Sequence, residues 1–159
     1  VAEEQIELRV VGVRFEEPDY APVLILREVT GNRVLPIWIG ASEAAAISMH
    51  QQGVVPERPM SHDLHLELIT ALGHTLERVE ITSVDRGTFY SDLVIGSNAR
   101  VSARPSDAIA IALRADAPIF AAPAVVDDVA INLDDEGEVD VEAFREFLDH
   151  VSPEDFKDE

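Results

Sequence analysis

Cysteine is absent from the 159-residue chain, which excludes disulfides and thiolate metal sites and leaves the redox compartment unread. Long apolar runs are missing as well. None approaches the roughly 18–20 residues that a membrane-spanning helix needs, so no membrane span is expected. The opening VAEEQIELRVVGV is acidic where a secretion signal would be basic, and a cytoplasmic location is the default expectation. Positive charge is scarce. Twelve Lys and Arg face thirty-one Asp and Glu, a formal net charge of −19. The first 126 residues hold seventeen acids and ten bases, all arginine, whereas the last thirty-three hold fourteen acids and two bases. A field of this sign repels phosphate backbones, so any contact with nucleic acid must be local, through a patch or a bound cation. There is no G-x-S-x-G elbow, no H-E-x-x-H and no P-loop, which leaves serine-nucleophile, zinc-peptidase and P-loop chemistry without a foothold.

What is there suits a packed domain. Hydrophobic residues make up 47% of the chain, enough for a core. Strands are expected over Ile6–Phe15, Val23–Val29 and Val34–Ile39, with Gly31-Asn32 at the two positions where a tight hairpin takes positive φ. Alanine-rich ASEAAAISMHQQ reads as a helix ended by Gly53. A second helix runs from an N-cap at Ser61, with an apolar stripe of Leu64, Leu68, Ile69 and Leu72, and closes at Gly73. Strands at His74–Val84, Thr88–Ile95 and Arg100–Ala103 follow, then a helix opened by Pro105 and a shorter one near Pro123–Val129. LDDEGEV is a polar linker, and Phe144, Phe147, Leu148 and Val151 form the stripe of a C-terminal helix. Strands in two hairpin-linked groups, with helices between and after, predict an α+β fold. Its sheet should be mainly antiparallel with helices packed against it, as a domain over residues 1–133 and an acidic extension over 134–159.

Three helix starts share a pattern: Ser42-Glu43, His62-Asp63 and Ser106-Asp107. Each taken alone is explained by capping and by acids offsetting the helix dipole, worth about 0.3–1 kcal/mol. Taken together, and joined by Asp92 in the strand TFYSDLVI, they suggest more. Glu43, Asp63, Asp92 and Asp107 could supply oxygen ligands to a hard divalent ion such as Mg²⁺ or Mn²⁺. His62 could serve as general base, and an exposed first-turn histidine is the plain alternative. Arg58 and Arg104, each ahead of a proline, could clamp phosphate or simply pair with the neighbouring acids. Trp38, in PIWIG, reads as core or interface. His50, His65, His74 and His150 offer no ligand-like pair.

The blocks PVLILRE, LPIWIGASEAAAI, RPMSHDL, GTFYSDL and RPSDAIAIALR, spread between about Ile6 and Ile131, resemble the bifunctional nuclease domain family. FREFLDHVSPEDF resembles the tail of its actinobacterial members. The resemblance implies an α+β fold, a tendency to form a homodimer, and the degradation of DNA and RNA reported for some members; single-stranded nucleic acid is the partner expected if this chain is such an enzyme. Glu43, His62, Asp63, Asp92, Ser106 and Asp107 fall in its characteristic blocks. Two functions remain open at this point. One is a metal-assisted phosphodiesterase. The other is a non-enzymatic dimeric binding or regulatory module whose carboxylates cap helices and pair with arginine.

Overall fold

The computed structural model describes residues 4–132. The linker and C-terminal helix expected from the sequence lie outside the described residues. The strands are β1 (Ile6–Glu16), β2 (Ala21–Glu28), β3 (Arg33–Trp38), β4 (Leu76–Asp85), β5 (Thr88–Ile95), β6 (Ala99–Ala103), β7 (Ile119–Ala121) and β8 (Ile131–Asn132). The helices are α1 (Ala41–Gln51), α2 (Ser61–Ala71), α3 (Pro105–Ala115) and α4 (Pro123–Val129).

The strands form one eight-stranded sheet in the order β6-β5-β4-β7-β1-β2-β3-β8. Every neighbouring pair is antiparallel except β4–β7. The α+β expectation with a mainly antiparallel sheet therefore holds. The sequence reading missed β7 and β8. β7 matters most, because it joins the β1–β2–β3 group to the β4–β5–β6 group by pairing with Leu8 on one side and Val79 on the other.

Alternation along the strands sorts side chains onto two faces. Leu24 and Leu26 of β2, Leu35 and Ile37 of β3, and Val79 and Ile81 of β4 enter one core together with Ile47, Ala108–Ala112, Val125 and Val126 of the helices. Val23, Ile25, Val34 and Trp38 form a separate buried group on the opposite face. α3 is the central helix of the covered face. Its PSDAIAIALRA sequence buries seven residues, Pro105, Ser106 and Ala108 to Ala112. Its alanines leave room for α1 and α2 to lie alongside it.

Three local expectations are corrected. The β2–β3 hairpin exists, but neither Gly31 nor Asn32 is among the residues with positive φ. The requirement for glycine is space. A Cβ at Gly31 would collide with the Glu28 carboxylate, which accepts the Arg33 backbone N–H at 3.1 Å across the loop. The α2 stripe is not core either: Leu64, Leu68 and Leu72 are 47%, 52% and 76% exposed. At the start of that helix, Met60 is the N-cap and Ser61 the first helical residue.

Burial separates the expected effects of truncation. Ile109→Ala, at a side chain with no exposed surface, should lower unfolding free energy by about 2–5 kcal/mol. Val55→Ala, at an 88% exposed residue, should change it by less than about 0.5 kcal/mol. Urea unfolding followed by circular dichroism checks both.

Candidate functional site

The first turns of α1, α2 and α3 meet beside one another, and arginine side chains join them. Arg104 is the extended residue preceding α3, at φ −65° and ψ 141°, as a residue before proline tends to be. From there its Nη2 donates to Glu43 Oε1 of α1 at 2.6 Å and to Asp107 Oδ2 at 2.8 Å, and its Nε reaches the same Asp107 oxygen at 3.1 Å. The other oxygen of Asp107, Oδ1, lies 2.9 Å from His62 Nε2 of α2. Gly40 makes room for this geometry, since a Cβ there would meet the Glu43 carboxylate.

A second arginine closes the other side. Arg114 Nε donates to Asp63 Oδ1 at 2.7 Å, while its Nη1 and Nη2 donate to the carbonyls of Ala110 and Ala46. Asp63 Oδ2 accepts the Met60 backbone N–H at 3.0 Å, so its carboxylate both starts α2 and ties it to α3. These polar anchors set the rotation of α2. The partly buried residues of the helix are His62, Asp63, Leu66 and Ile69, which follow one helical face. Leu64, Leu68 and Leu72 are turned outward as a consequence.

Both aspartates are tuned by their partners. Burial alone would raise the Asp107 carboxyl, but hydrogen bonds from His62 and Arg104, with the Arg104 charge, outweigh it and hold the group below the usual carboxylate range. Asp63 behaves the same way. Burial pushes it up, while the Met60 N–H and the Arg114 guanidinium bring it down further.

The expected residues thus divide. Glu43, His62, Asp107 and Arg104 form one connected group, and Asp63 is joined to the same helices through Arg114. Asp92 is elsewhere. It pairs in register with Glu80, on the sheet face opposite the one that Val79, Ile81 and Leu93 turn toward the helices. There Arg100 Nη1 lies 2.6 Å from Glu80 and 3.2 Å from Asp92, and Arg78 binds Glu80 at 2.8 Å. Arg58 is exposed in the loop between α1 and α2 and makes no ion pair with a described residue. Trp38 is buried at 8% exposure on the face away from the helices.

This placement bears on a shared cation. Among the described residues no group of three or more His, Asp or Glu side chains is gathered to hold a metal. Glu43, Asp63 and Asp107 each face a guanidinium instead, so the residues present do not fit the Mg²⁺ or Mn²⁺ site expected from them. The sequence reading also passed over Arg114. The available signal was its spacing: it falls seven residues after Asp107, two turns along the same face of α3.

Comparison with known proteins adds the wider context. The sequence model of the bifunctional nuclease domain matches residues 24–134. Two proteins of Mycobacterium tuberculosis are similar to nearly the whole chain: uncharacterized protein MT1877 of strain CDC 1551 / Oshkosh and uncharacterized protein Rv1829 of strain ATCC 25618 / H37Rv. Each is 54% identical over 160 residues, covering 95% of this chain and 98% of the relative.

The ion pairs predict an acid-sensitive fold. A carboxyl whose folded pKa is depressed stabilises the fold above its unfolded value, and that contribution is lost as pH falls through the folded one. Asp63, Asp107 and Glu80 are all depressed from ordinary values of 3.8 and 4.5. Unfolding free energy should therefore start to fall as pH drops below those values and keep falling at lower pH. Arg114→Met should cost roughly 2–4 kcal/mol near neutral pH and make the acid loss shallower. Urea unfolding between pH 2 and 7 measures both.

Proposed function

Because this chain belongs to the bifunctional nuclease domain family, we propose that it hydrolyses phosphodiester bonds of DNA, RNA or both where His62, Asp107 and Arg104 meet. The observation that carries this reading is the 2.9 Å contact of His62 Nε2 with Asp107 Oδ1, while Arg104 holds the other oxygen of the same carboxylate. An imidazole oriented by a carboxylate, beside a guanidinium, is a general acid–base arrangement next to an anion-binding group.

The steps follow from the donors. Ionised Asp107 only accepts, so it keeps a hydrogen on Nε2, and in the base form of His62 the Nδ1 lone pair is the one left for a proton. Water attacks phosphorus as Nδ1 takes its proton. The phosphorus–oxygen bond to the leaving group breaks, and the departing oxygen is protonated by solvent. Arg104 is 64% exposed, and its Nη1 takes part in none of the bonds described above. That donor can face the non-bridging phosphoryl oxygens, where charge grows in the transition state. Exposed Arg58 adds positive charge on the approach. No step runs through a metal.

One observation favours the second reading, a non-enzymatic dimeric module. Every carboxylate of the group is already paired with an arginine that also ties helices together. Both readings take the cytoplasm as location and a homodimer as the assembly. The exposed leucines of α2 are the apolar surface such a dimer would bury.

Purified full chain should cleave single-stranded RNA or DNA, and more weakly as salt rises. His62→Asn should lower the rate about 10²–10⁴-fold, and Arg104→Met about 10²–10³-fold, each with a native circular dichroism spectrum. Undiminished cleavage by folded His62→Asn would remove the residue from the reaction. Cleavage abolished by EDTA and restored by Mn²⁺ would return the carboxylates to a metal. Absence of cleavage in the unaltered chain would support the binding module.

A further inference from the structure

A second histidine stands beside His62 on α2. His65 follows it by three residues, a spacing that makes two side chains neighbours on a helix surface. The two imidazole rings lie 6.3 Å apart between centres, inclined by 35°. His65 is exposed, and its Nδ1 contacts the carbonyl oxygen of Ser61, one turn back. A carbonyl oxygen only accepts, so this contact keeps a hydrogen on Nδ1. Nε2 is then the nitrogen left to exchange a proton, and it makes no hydrogen bond with a described residue. His62 is held in the opposite sense: Asp107 takes its Nε2 and leaves Nδ1. Each ring is thus oriented by an acceptor, and each has one nitrogen available.

We propose that His65 is the general acid of the phosphodiester hydrolysis, giving the departing oxygen, in place of solvent, the proton it needs. The proposal rests on the reading of His62 as base and adds a second residue to that site. As water attacks phosphorus, its proton passes to His62 Nδ1. The phosphorus–oxygen bond to the leaving group breaks, and the Nε2 hydrogen of protonated His65 goes to the oxygen that departs. His62 ends the step protonated, while His65 retains only its Nδ1 hydrogen, and exchange with water resets both rings. Three observations support His65 in this role. The first is separation. The attacking and leaving oxygens lie on opposite sides of phosphorus, so acid and base must be two groups with a phosphoryl group between them. Ring centres 6.3 Å apart exceed twice a hydrogen bond of about 2.8 Å and leave that room. The second is the lack of another donor close by. Asp63 and Asp107 are held below the usual carboxylate range and so carry no proton near neutral pH. Glu43 is paired with Arg104, and a guanidinium does not give up its hydrogens in a protein. The third is exposure, which lets a substrate reach Nε2.

The test compares two substrates of the full chain. One is a single-stranded oligonucleotide, whose departing sugar oxygen is strongly basic and needs a proton. The other is a nucleoside p-nitrophenyl phosphodiester, whose departing phenolate is stable without one. His65→Asn should slow cleavage of the oligonucleotide about 10²–10⁴-fold and that of the aryl ester far less. His62→Asn should slow both. A side chain that only steadied the helix turn would not separate the two substrates. Equal slowing of both by folded His65→Asn, or slowing of neither, overturns the proposal. A second measurement needs no variant. Across aryl esters of increasing phenol basicity, the rate of the unaltered chain should fall only shallowly, because a protonated leaving group develops little charge. A steep fall, as for an unprotonated leaving group, overturns the assignment. The two readings fail differently. If neither substrate is cleaved by the unaltered chain, the hydrolysis itself is overturned and the role of His65 with it. If His62→Asn loses cleavage while His65→Asn keeps it, only the role of His65 is overturned.

Discussion

Two guanidinium groups at the ends of α3 determine how the helices of this protein meet. Arg104 binds Glu43 of α1 and Asp107 of its own helix, and Arg114 binds Asp63 of α2 and the Ala46 carbonyl of α1. Charged hydrogen bonds of this kind are directional and, when partly buried, costly to break. They explain why α2 turns His62 and Asp63 inward and leaves leucines in water, a choice that hydrophobic burial alone would have reversed. They also occupy the carboxylates. Acids at three helix starts suggest a cation when read along the chain, but in three dimensions the positive charge is supplied by arginine.

Much of the fold could be read from local pattern. The long strands alternate or run apolar, and the turns that separate β4, β5 and β6 contain Gly87 and Gly96, both with positive φ. The α3 start followed from Arg104-Pro105. What escaped was set by distant partners. β7 is only three residues long and follows a proline, so nothing local separates it from a loop, yet it joins the two halves of the sheet. Asp92 shows the same boundary. Alternation places it with Tyr90 and Val94, opposite Phe89 and Leu93, but which face the helices cover is a tertiary fact. Gly31 was assigned to the right hairpin for the wrong reason, because the Glu28 side chain that needs the space cannot be seen in a turn motif.

The distribution of charge bears on function. The proposed nuclease activity must work against a net charge of −19, which demands positive groups close to the reacting phosphate. On the helix side Arg104 is exposed and shares Asp107 with His62, and Arg58 is exposed in the loop four residues before His62.

The central claim is that His62, held by Asp107, presents Nδ1 to a phosphodiester beside Arg104. The most direct measurement is the ¹⁵N imidazole spectrum of His62 in the full chain, recorded with and without a non-hydrolysable dinucleotide. The account predicts a hydrogen on Nε2, facing Asp107, and an Nδ1 resonance that moves when the dinucleotide binds. A dinucleotide that binds while leaving both His62 nitrogens unmoved would contradict it.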